Sequence, residues 1–327
     1  MPARNAAATV RAAAVSILRQ TERDLALVCV DDGSTDGTAA ALDAVAARDP
    51  RVRVLRGPGE GIAGALQRGL AACDAEVIGR MDADDVAHPG RLALQLEALR
   101  ADPSLAAVGG RVRIFPRRLV RQGMVRYAAW LNGLVTPALV ARDLLVEAPL
   151  AHPAAAIRAG ALRDAGGWRD GQFPEDYDLW LRLAAAGGRL TNLPATVLDW
   201  REGPARATRT DPRYALGRHV ALKCAFLAAH VLGARREVAL WGAGETGKAF
   251  ADALRREGVA TVAFVEVDRA KIGRTARGAP VLSYREVGRL RGLPLLVAVG
   301  AAGARDLIRG ELDQAGLREL THYWCVS

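Results

Sequence analysis

Apolar residues recur at helical spacing through Val10, Ala13, Ala14, Ile17 and Leu18, which predicts a helix over Thr9 to Gln20. The run Leu25-Ala26-Leu27-Val28-Cys29-Val30 then reads as a strand ending in a turn at Asp32-Gly33. A helix follows from about Thr38, with Ser34, Thr35 or Asp36 as its cap. Val52 to Leu55 predicts a short strand, residues 57–61 a glycine-rich loop, Ile62 to Ala72 a helix and residues 76–79 a further strand. Pro89, at the first helical position that proline favours, opens a helix reaching about Arg100. Such β–α alternation predicts an α/β fold built on a parallel, doubly wound sheet. Beyond Val108 the alternation weakens, and loops with antiparallel pieces are expected.

The stretch from Arg201 to Arg218 carries glycine, proline and several arginines and reads as a linker. Glu237-Val238-Ala239-Leu240-Trp241 then begins a fresh βα unit. The expected organisation is a domain over 1–218, a linker or helix over 219–235, and a smaller α/β domain over 236–327.

Composition narrows the class. The chain has 327 residues, 50% of them hydrophobic and 25% charged, which describes two folded domains and excludes disorder. Its net charge of +9 comes mostly from arginine spread along the whole sequence. Aromatic residues make up only 5% and are not interleaved with the basic ones, so a base-stacking platform for nucleic acid is not expected. Attraction to phosphorylated ligands or to an anionic membrane surface fits the charge. Cysteines 29, 73, 224 and 325 form no Cys-x-x-Cys pair, which argues against a zinc site or disulfide framework and fits a reducing cytoplasm. The N-terminus lacks the continuous apolar core of a signal peptide, and Val220 to Leu232 is interrupted by Lys223 and His230. A cytoplasmic protein, soluble or peripheral at the inner face of the membrane, is expected.

Chemistry concentrates in carboxylates at strand ends. Val30-Asp31-Asp32-Gly33-Ser34-Thr35-Asp36 closes the strand at 25–30, and Arg80-Met81-Asp82-Ala83-Asp84-Asp85 closes the one at 76–79. Ligands bind outside the carboxyl ends of strands in open α/β sheets. Acidic clusters delivered there suit a divalent cation and a phosphorylated ligand. Asp82 and Asp84 are the candidate ligands for Mg²⁺ or Mn²⁺, hard cations that commonly take one or two protein carboxylates. The structural alternative is an acidic loop capping the helix at Pro89. Asp32 has a similar alternative, turn or cap chemistry in Asp31-Asp32-Gly33-Ser34.

Val30-Asp31-Asp32-Gly33-Ser34, Asp82-Ala83-Asp84-Asp85 and Glu175-Asp176-Tyr177-Asp178-Leu179-Trp180, in that order, resemble the motifs of family 2 glycosyltransferases. The resemblance covers roughly the first two thirds of the chain. It implies a GT-A-type doubly wound nucleotide-binding domain and an inverting transfer from a nucleotide-diphosphate sugar to a hydroxyl acceptor, a glycan or lipid-linked molecule. Envelope polysaccharide or glycolipid synthesis is the process it implies. By the same resemblance Asp84 is the first choice for the direct metal ligand, and Asp32 and Pro2 flank the nucleobase. Asp176 is the general base that takes the acceptor proton; Glu175, Trp180 and His152 fall on the acceptor side. Acidic residues in a first helical turn also serve as caps, which is the structural alternative at Glu175-Asp176. Family members usually begin with a hydrophobic strand ending in a Pro-x-x-Asn turn; Pro2-Ala3-Arg4-Asn5 matches the turn, and the strand ahead of it is expected to lie upstream.

In the tail, Gly242-Ala243-Gly244-Glu245-Thr246-Gly247 follows the strand at 237–241 and opens a helix, the setting of a dinucleotide fingerprint. Glu266 and Asp268 stand at about the ribose-binding distance. Gly242, Gly244, Gly247 and Glu266 are therefore candidate ligands of NAD(P) or another nucleotide, in a tail that resembles small Rossmann-like domains fused to sugar-modifying proteins. Ala249 stands where a P-loop needs Ser or Thr, so that motif is not expected. Two other readings stay open: a pyridine-nucleotide-linked redox or sensor protein acting through the tail, and a non-catalytic sugar-nucleotide-binding scaffold.

Overall fold

The computed structural model describes residues 1–204 and 206–327; Ala205, inside the linker-like stretch, lies outside the described residues. Contacts divide the chain into two units. The first comprises residues 1–141, 148–171 and 175–210, and the second 142–147, 172–174 and 211–327. By contacts the main division falls at 210/211, and two short inner segments group with the C-terminal residues.

The first unit runs β1 (Pro2–Ala3), α1 (Val10–Leu18), β2 (Leu27–Asp32), α2 (Thr38–Ala46), β3 (Val52–Gly57), α3 (Gly61–Ala71), β4 (Val77–Gly79), β5 (Val86–Ala87) and α4 (Arg91–Ala101). It continues with β6 (Leu105–Phe115), α5 (Gln122–Gly133), α6 (Pro137–Asp143, whose end groups with the second unit), β7 (Ala156–Arg158), α7 (Ala159–Asp164), α8 (Glu175–Ala185), β8 (Arg189–Arg201) and α9 (Ala207–Thr210). Helix α1 buries Val10, Ala13, Ala14 and Ile17, the stripe its periodicity predicts. Every residue of β2 is buried, as expected of a parallel strand covered on both faces. Fully buried leucines such as Leu42, Leu131 and Leu198 each contribute roughly 1.5–3 kcal/mol by leaving water.

Strands β1, β2 and β3 form one parallel sheet, and β4, β7, β6, β8 and β5 a second, mixed one. Pro2–Ala3 pairs with Val30 and Asp31 as strand, so the segment expected as a turn bends only at Arg4 and Asn5. Beside β1, between β2 and β4, opens a cleft of about 810 Å³ lined by Leu27, Val28, Leu66, Leu70, Ile78 and Leu92. It separates the two sheets where one continuous sheet was expected.

After Val108 the expected antiparallel pieces are present, β7 pairing antiparallel with β4 and β6 and β8 with β5, beside longer strands than expected. Strands β6 and β8 pair in parallel from Leu105 to Phe115, with register shifts around Gly110 and Arg111. A Cβ at Gly110 would come within 2.7 Å of the Val197 side chain, so the irregularity sits where the strands approach too closely for a larger residue. Helix α4 starts at Arg91 with Gly90 as its cap, two residues after Pro89, whose carbonyl accepts from Thr21 N at 2.8 Å. Helix α2 is capped by Gly37; Asp36 instead accepts from Thr38 N at 2.9 Å and Ala7 N at 3.1 Å.

The second unit contains α10 (Leu216–Phe226), β9 (Glu237–Trp241), α11 (Glu245–Arg256), β10 (Ala260–Glu266), β11 (Thr275–Ala276), β12 (Ala279–Ser283), β13 (Leu295–Val297), α12 (Ala304–Gln314) and β14 (Tyr323–Cys325). Its strand order is β11-β12-β10-β9-β13-β14, parallel except at β11. Lys223 is buried here, its ammonium donating to Val146 O at 2.8 Å and Val326 O at 3.0 Å. Among the described residues no helix is long and apolar enough to cross a membrane.

Candidate active site

The loop after β4 gathers three carboxylates. Oxygens of Asp82, Asp84 and Asp85 lie within 4.8 Å of one another. Beneath them Arg80, 3% exposed, forms an ion pair with Asp82. Asp85 is 1% exposed and accepts from Arg201 N at 2.6 Å, while its Oδ2 has no partner among the described residues. Burial first, and then the charge of Asp82, pushes the Asp84 carboxyl above its usual range and Asp85 well above it. Crowded acids with an orphaned buried oxygen match the hard-donor set of a divalent cation. Asp82 and Asp84 were legible as candidates. Asp85 belongs with them, and its motif position beside Asp84 was the signal.

Arg201 was read as linker. It ends β8 instead, placing its Nε on Asp84 O at 2.6 Å and its guanidinium 4.5 Å above the Phe115 ring. Arg206 stacks 4.0 Å over Trp200, and both Arg206 and Arg209 pair with the buried Glu202. Nothing in their spacing marked these arginines among so many.

Two further polar residues hold the loop from below. Arg91 is 1% exposed and donates to Arg80 O at 2.6 Å and Ala155 O at 3.2 Å; burial pulls its pKa down to about 10. Gln95 donates to Ala154 O at 2.6 Å and Val108 O at 2.9 Å. Together they donate to carbonyls at the ends of β4 and β7 and within β6, tying the three strands under the loop.

Asp32 ends β2 and is 3% exposed. Its carboxylate accepts from Gly59 N at 3.1 Å, Glu60 N at 2.8 Å and Gly61 N at 2.8 Å. The residue expected beside a nucleobase therefore first organises the glycine loop ahead of α3. Gly59 and Gly61 hold φ of 97° and 81°, which glycine tolerates without strain. Pro2 is half-buried in β1, next to this strand.

Asp176 lies in the first turn of α8, half-buried, with one oxygen accepting from Tyr177 N at 2.7 Å. The three residues expected on the acceptor side are all buried. Trp180 is fully buried, Glu175 is 1% exposed and His152 is 5% exposed, so they form a packed cluster and present no open surface. Trp168 Nε1 donates to His152 Nε2 at 2.7 Å, which puts the imidazole proton on Nδ1, 3.9 Å from Glu175 Oε1. Burial, reinforced by the charge of Arg80, holds His152 well below the ordinary histidine range. Arg80 thus stands electrostatically between the acid cluster and this buried group, since Asp82, Glu175 and Asp85 all act on it.

A comparison with known families matches residues 1–166 to the model described as glycosyl transferase family 2. The chain belongs to that family. Chondroitin synthase of Escherichia coli is 31% identical over 188 residues, 57% of this chain and 26% of the synthase. The amylovoran biosynthesis glycosyltransferase AmsE of Erwinia amylovora is 29% identical over 192 residues, 58% of this chain and 68% of AmsE. The chain spans less than two thirds of the length of most curated relatives it matches. Among solved structures, the mannosyltransferase PcManGT from Pyrobaculum calidifontis, in complex with GDP-Man and Mn²⁺, has a TM-score of 0.50 at 23% identity, covering 79% of this chain and 67% of that one. TarS of S. aureus, in complex with UDP-GlcNAc, has a TM-score of 0.54 at 15% identity, covering 78% and 70%. The fold is that of the GT-A glycosyltransferases.

The family 2 match ends before residues 211–327 of the second unit, where the glycine loop is built as its spacing predicts. Gly242 has φ of 112°, and a Cβ at Gly247 would sit 1.8 Å from Gly242 O, so only glycine lets α11 start this close to β9. Gly244 caps α11. Glu266, however, accepts from Ala243 N at 3.1 Å, from Val267 N at 2.9 Å and from Lys271 Nζ at 3.2 Å. The carboxylate expected at a ribose closes the loop itself, and no observation carries the pyridine-nucleotide reading further.

Proposed function

We propose that this family 2 protein is an inverting glycosyltransferase that moves a sugar from a nucleoside-diphosphate sugar to a hydroxyl acceptor in envelope polysaccharide or glycolipid synthesis. The observation that carries this is the Asp82–Asp84–Asp85 cluster at the carboxyl edge of the sheet, with the orphaned Asp85 oxygen. Asp82 and Asp84, with Asp85 beside them, would hold a divalent cation, which would supply Lewis-acid stabilisation of a diphosphate leaving group. PcManGT with GDP-Man and Mn²⁺, and AmsE named for amylovoran biosynthesis, support this choice of donor class and process.

In this reading Asp32, through the loop it holds at Gly59–Gly61, and Pro2 form the base side. Asp176 takes the acceptor proton as general base. Glu175, His152 and Trp180 position rather than touch: they pack behind the first turn of α8 and fix its direction. Calorimetry with UDP, GDP and dTDP, with and without Mn²⁺, tests the donor site. Manganese-dependent binding that is lost in Asp84→Asn is the expected result; binding unaffected by either change refutes the metal role. Asp176→Asn is expected to keep donor binding and lower transfer by roughly 10²–10⁴. Near-normal turnover in that variant places the base elsewhere.

A further inference from the structure

From residue 103 to residue 142 the chain contains seven arginines and not one aspartate, glutamate or lysine. Three of the seven are engaged: Arg113 pairs with Asp199 at 2.6 Å, Arg111 Nε donates to Asn132 O at 3.0 Å, and Arg142 pairs with Asp143 at 2.9 Å. Arg117, Arg118, Arg121 and Arg126 are exposed, and no carboxylate pairs with them among the described residues. They lie between β6 and the first half of α5 and are interleaved with two exposed apolar side chains, Leu119 at 39% and Val125 at 54%. The opposite side of α5 is anchored, with Ala128 and Leu131 buried and Tyr127 and Trp130 packed on the core.

We propose that this face docks the protein on an anionic membrane surface, with the guanidinium groups at the phosphates and Leu119 and Val125 in the acyl boundary. Free arginine charge complements anionic lipid headgroups, and exposed apolar residues among the arginines add the area that interfacial binding needs. A polynucleotide partner would instead use exposed aromatic rings, and here Tyr127 and Trp130 turn toward the core.

The face is tied to the acid cluster. Arg117 follows Phe115 by two residues, and the Phe115 ring lies under Arg201, whose amide bonds Asp85. Tyr127 of α5 stacks 6.3 Å from Trp200, the residue before Arg201. Docking through this face therefore brings the transfer site to the bilayer surface, and the acceptor it serves is a hydroxyl of a membrane-anchored molecule. That last step rests on the transferase reading; the docking does not.

The test is sedimentation of the full chain with phosphatidylcholine vesicles, with and without 30 mol% phosphatidylglycerol. Binding only to the anionic vesicles, weakened by 0.5 M salt, is expected. Each arginine is worth on the order of fivefold near such a surface, so Arg117→Gln/Arg118→Gln/Arg121→Gln should lose at least tenfold while its melting curve stays that of the wild type. Leu119→Ser/Val125→Ser should lose vesicle binding and keep its retention on heparin. No binding to anionic vesicles, or a triple variant that binds as wild type, overturns the proposal. An apolar variant that still sediments as wild type identifies a general polyanion site and overturns it as well. No donor or acceptor is needed, so failure of the transferase reading leaves the result interpretable.

Discussion

The backbone amide of Arg201 donates to the Asp85 carboxylate at 2.6 Å, joining the end of β8 to the acid cluster across 116 residues. This bond takes one Asp85 oxygen and leaves the other buried, without a partner among the described residues, beside two more carboxylates. The arrangement costs stability without a cation and favours binding one.

Asp85→Asn keeps an acceptor for Arg201 N and removes one buried negative charge. In the presence of EDTA at pH 7 the variant is expected to be more stable than wild type by roughly 1 kcal/mol. Added Mn²⁺ should raise the melting temperature of wild type and raise that of the variant much less. Thermal melts with and without metal decide it, and a variant less stable than wild type in EDTA would show that Arg80 and Arg201 already offset the charge.

His152 provides a pH signature. Its folded pKa lies below the unfolded value of 6.5, because burial disfavours the imidazolium. The unfolded chain therefore binds the extra proton, and stability rises with pH in this window. The contribution is complete above 6.5 and is lost as pH falls through the depressed folded value. The melting temperature should drop between pH 7.5 and 5.5, and His152→Gln, which retains an acceptor for Trp168, should flatten the drop. An equal drop in the variant assigns the proton to another group.

Arg91→Met fills similar volume but removes the guanidinium donor of Arg80 O, while Ala155 O keeps its bond from Arg80 N at 2.8 Å. Each unsatisfied buried carbonyl costs about 1–3 kcal/mol. A loss of about 1–3 kcal/mol in chemical denaturation is expected, together with weaker metal binding at the loop Arg91 supports. A stability within 0.5 kcal/mol (roughly the range of a surface substitution) would mean that water replaces the guanidinium.

Gly247→Ala places a methyl group 1.8 Å from Gly242 O. The start of α11 has to move, which costs about 1–3 kcal/mol and falls on the second unit. Glycosyl transfer should persist at temperatures where that unit remains folded. Hydrogen exchange should show faster exchange in β9 and α11 with β2 and β6 unchanged; uniform acceleration would make the two units one cooperative block.

The first half of this protein was legible in its sequence for a local reason. Helices and parallel strands such as α1 and β2 declare themselves through short-range periodicity, and the acid clusters stand where strands end. Asp82, Asp84 and the tail's glycine loop needed only their own neighbours to be recognised. What the sequence left open depends on contacts between distant segments. Arg91 and Gln95 look like ordinary polar helix positions until their carbonyl partners at 80, 108, 154 and 155 converge on them. Arg201 looked like linker because strand β8 is defined by β6, almost ninety residues earlier in the chain, as the Arg113–Asp199 pair across them shows. Glu175, His152 and Trp180 carried the right motif and still turned inward, since burial is decided by what packs over a side chain. Periodicity along the chain determined the elements; the pairing of strands and the closing of the core decided which polar groups face the site, which support it from within, and which arginines remain free at the surface.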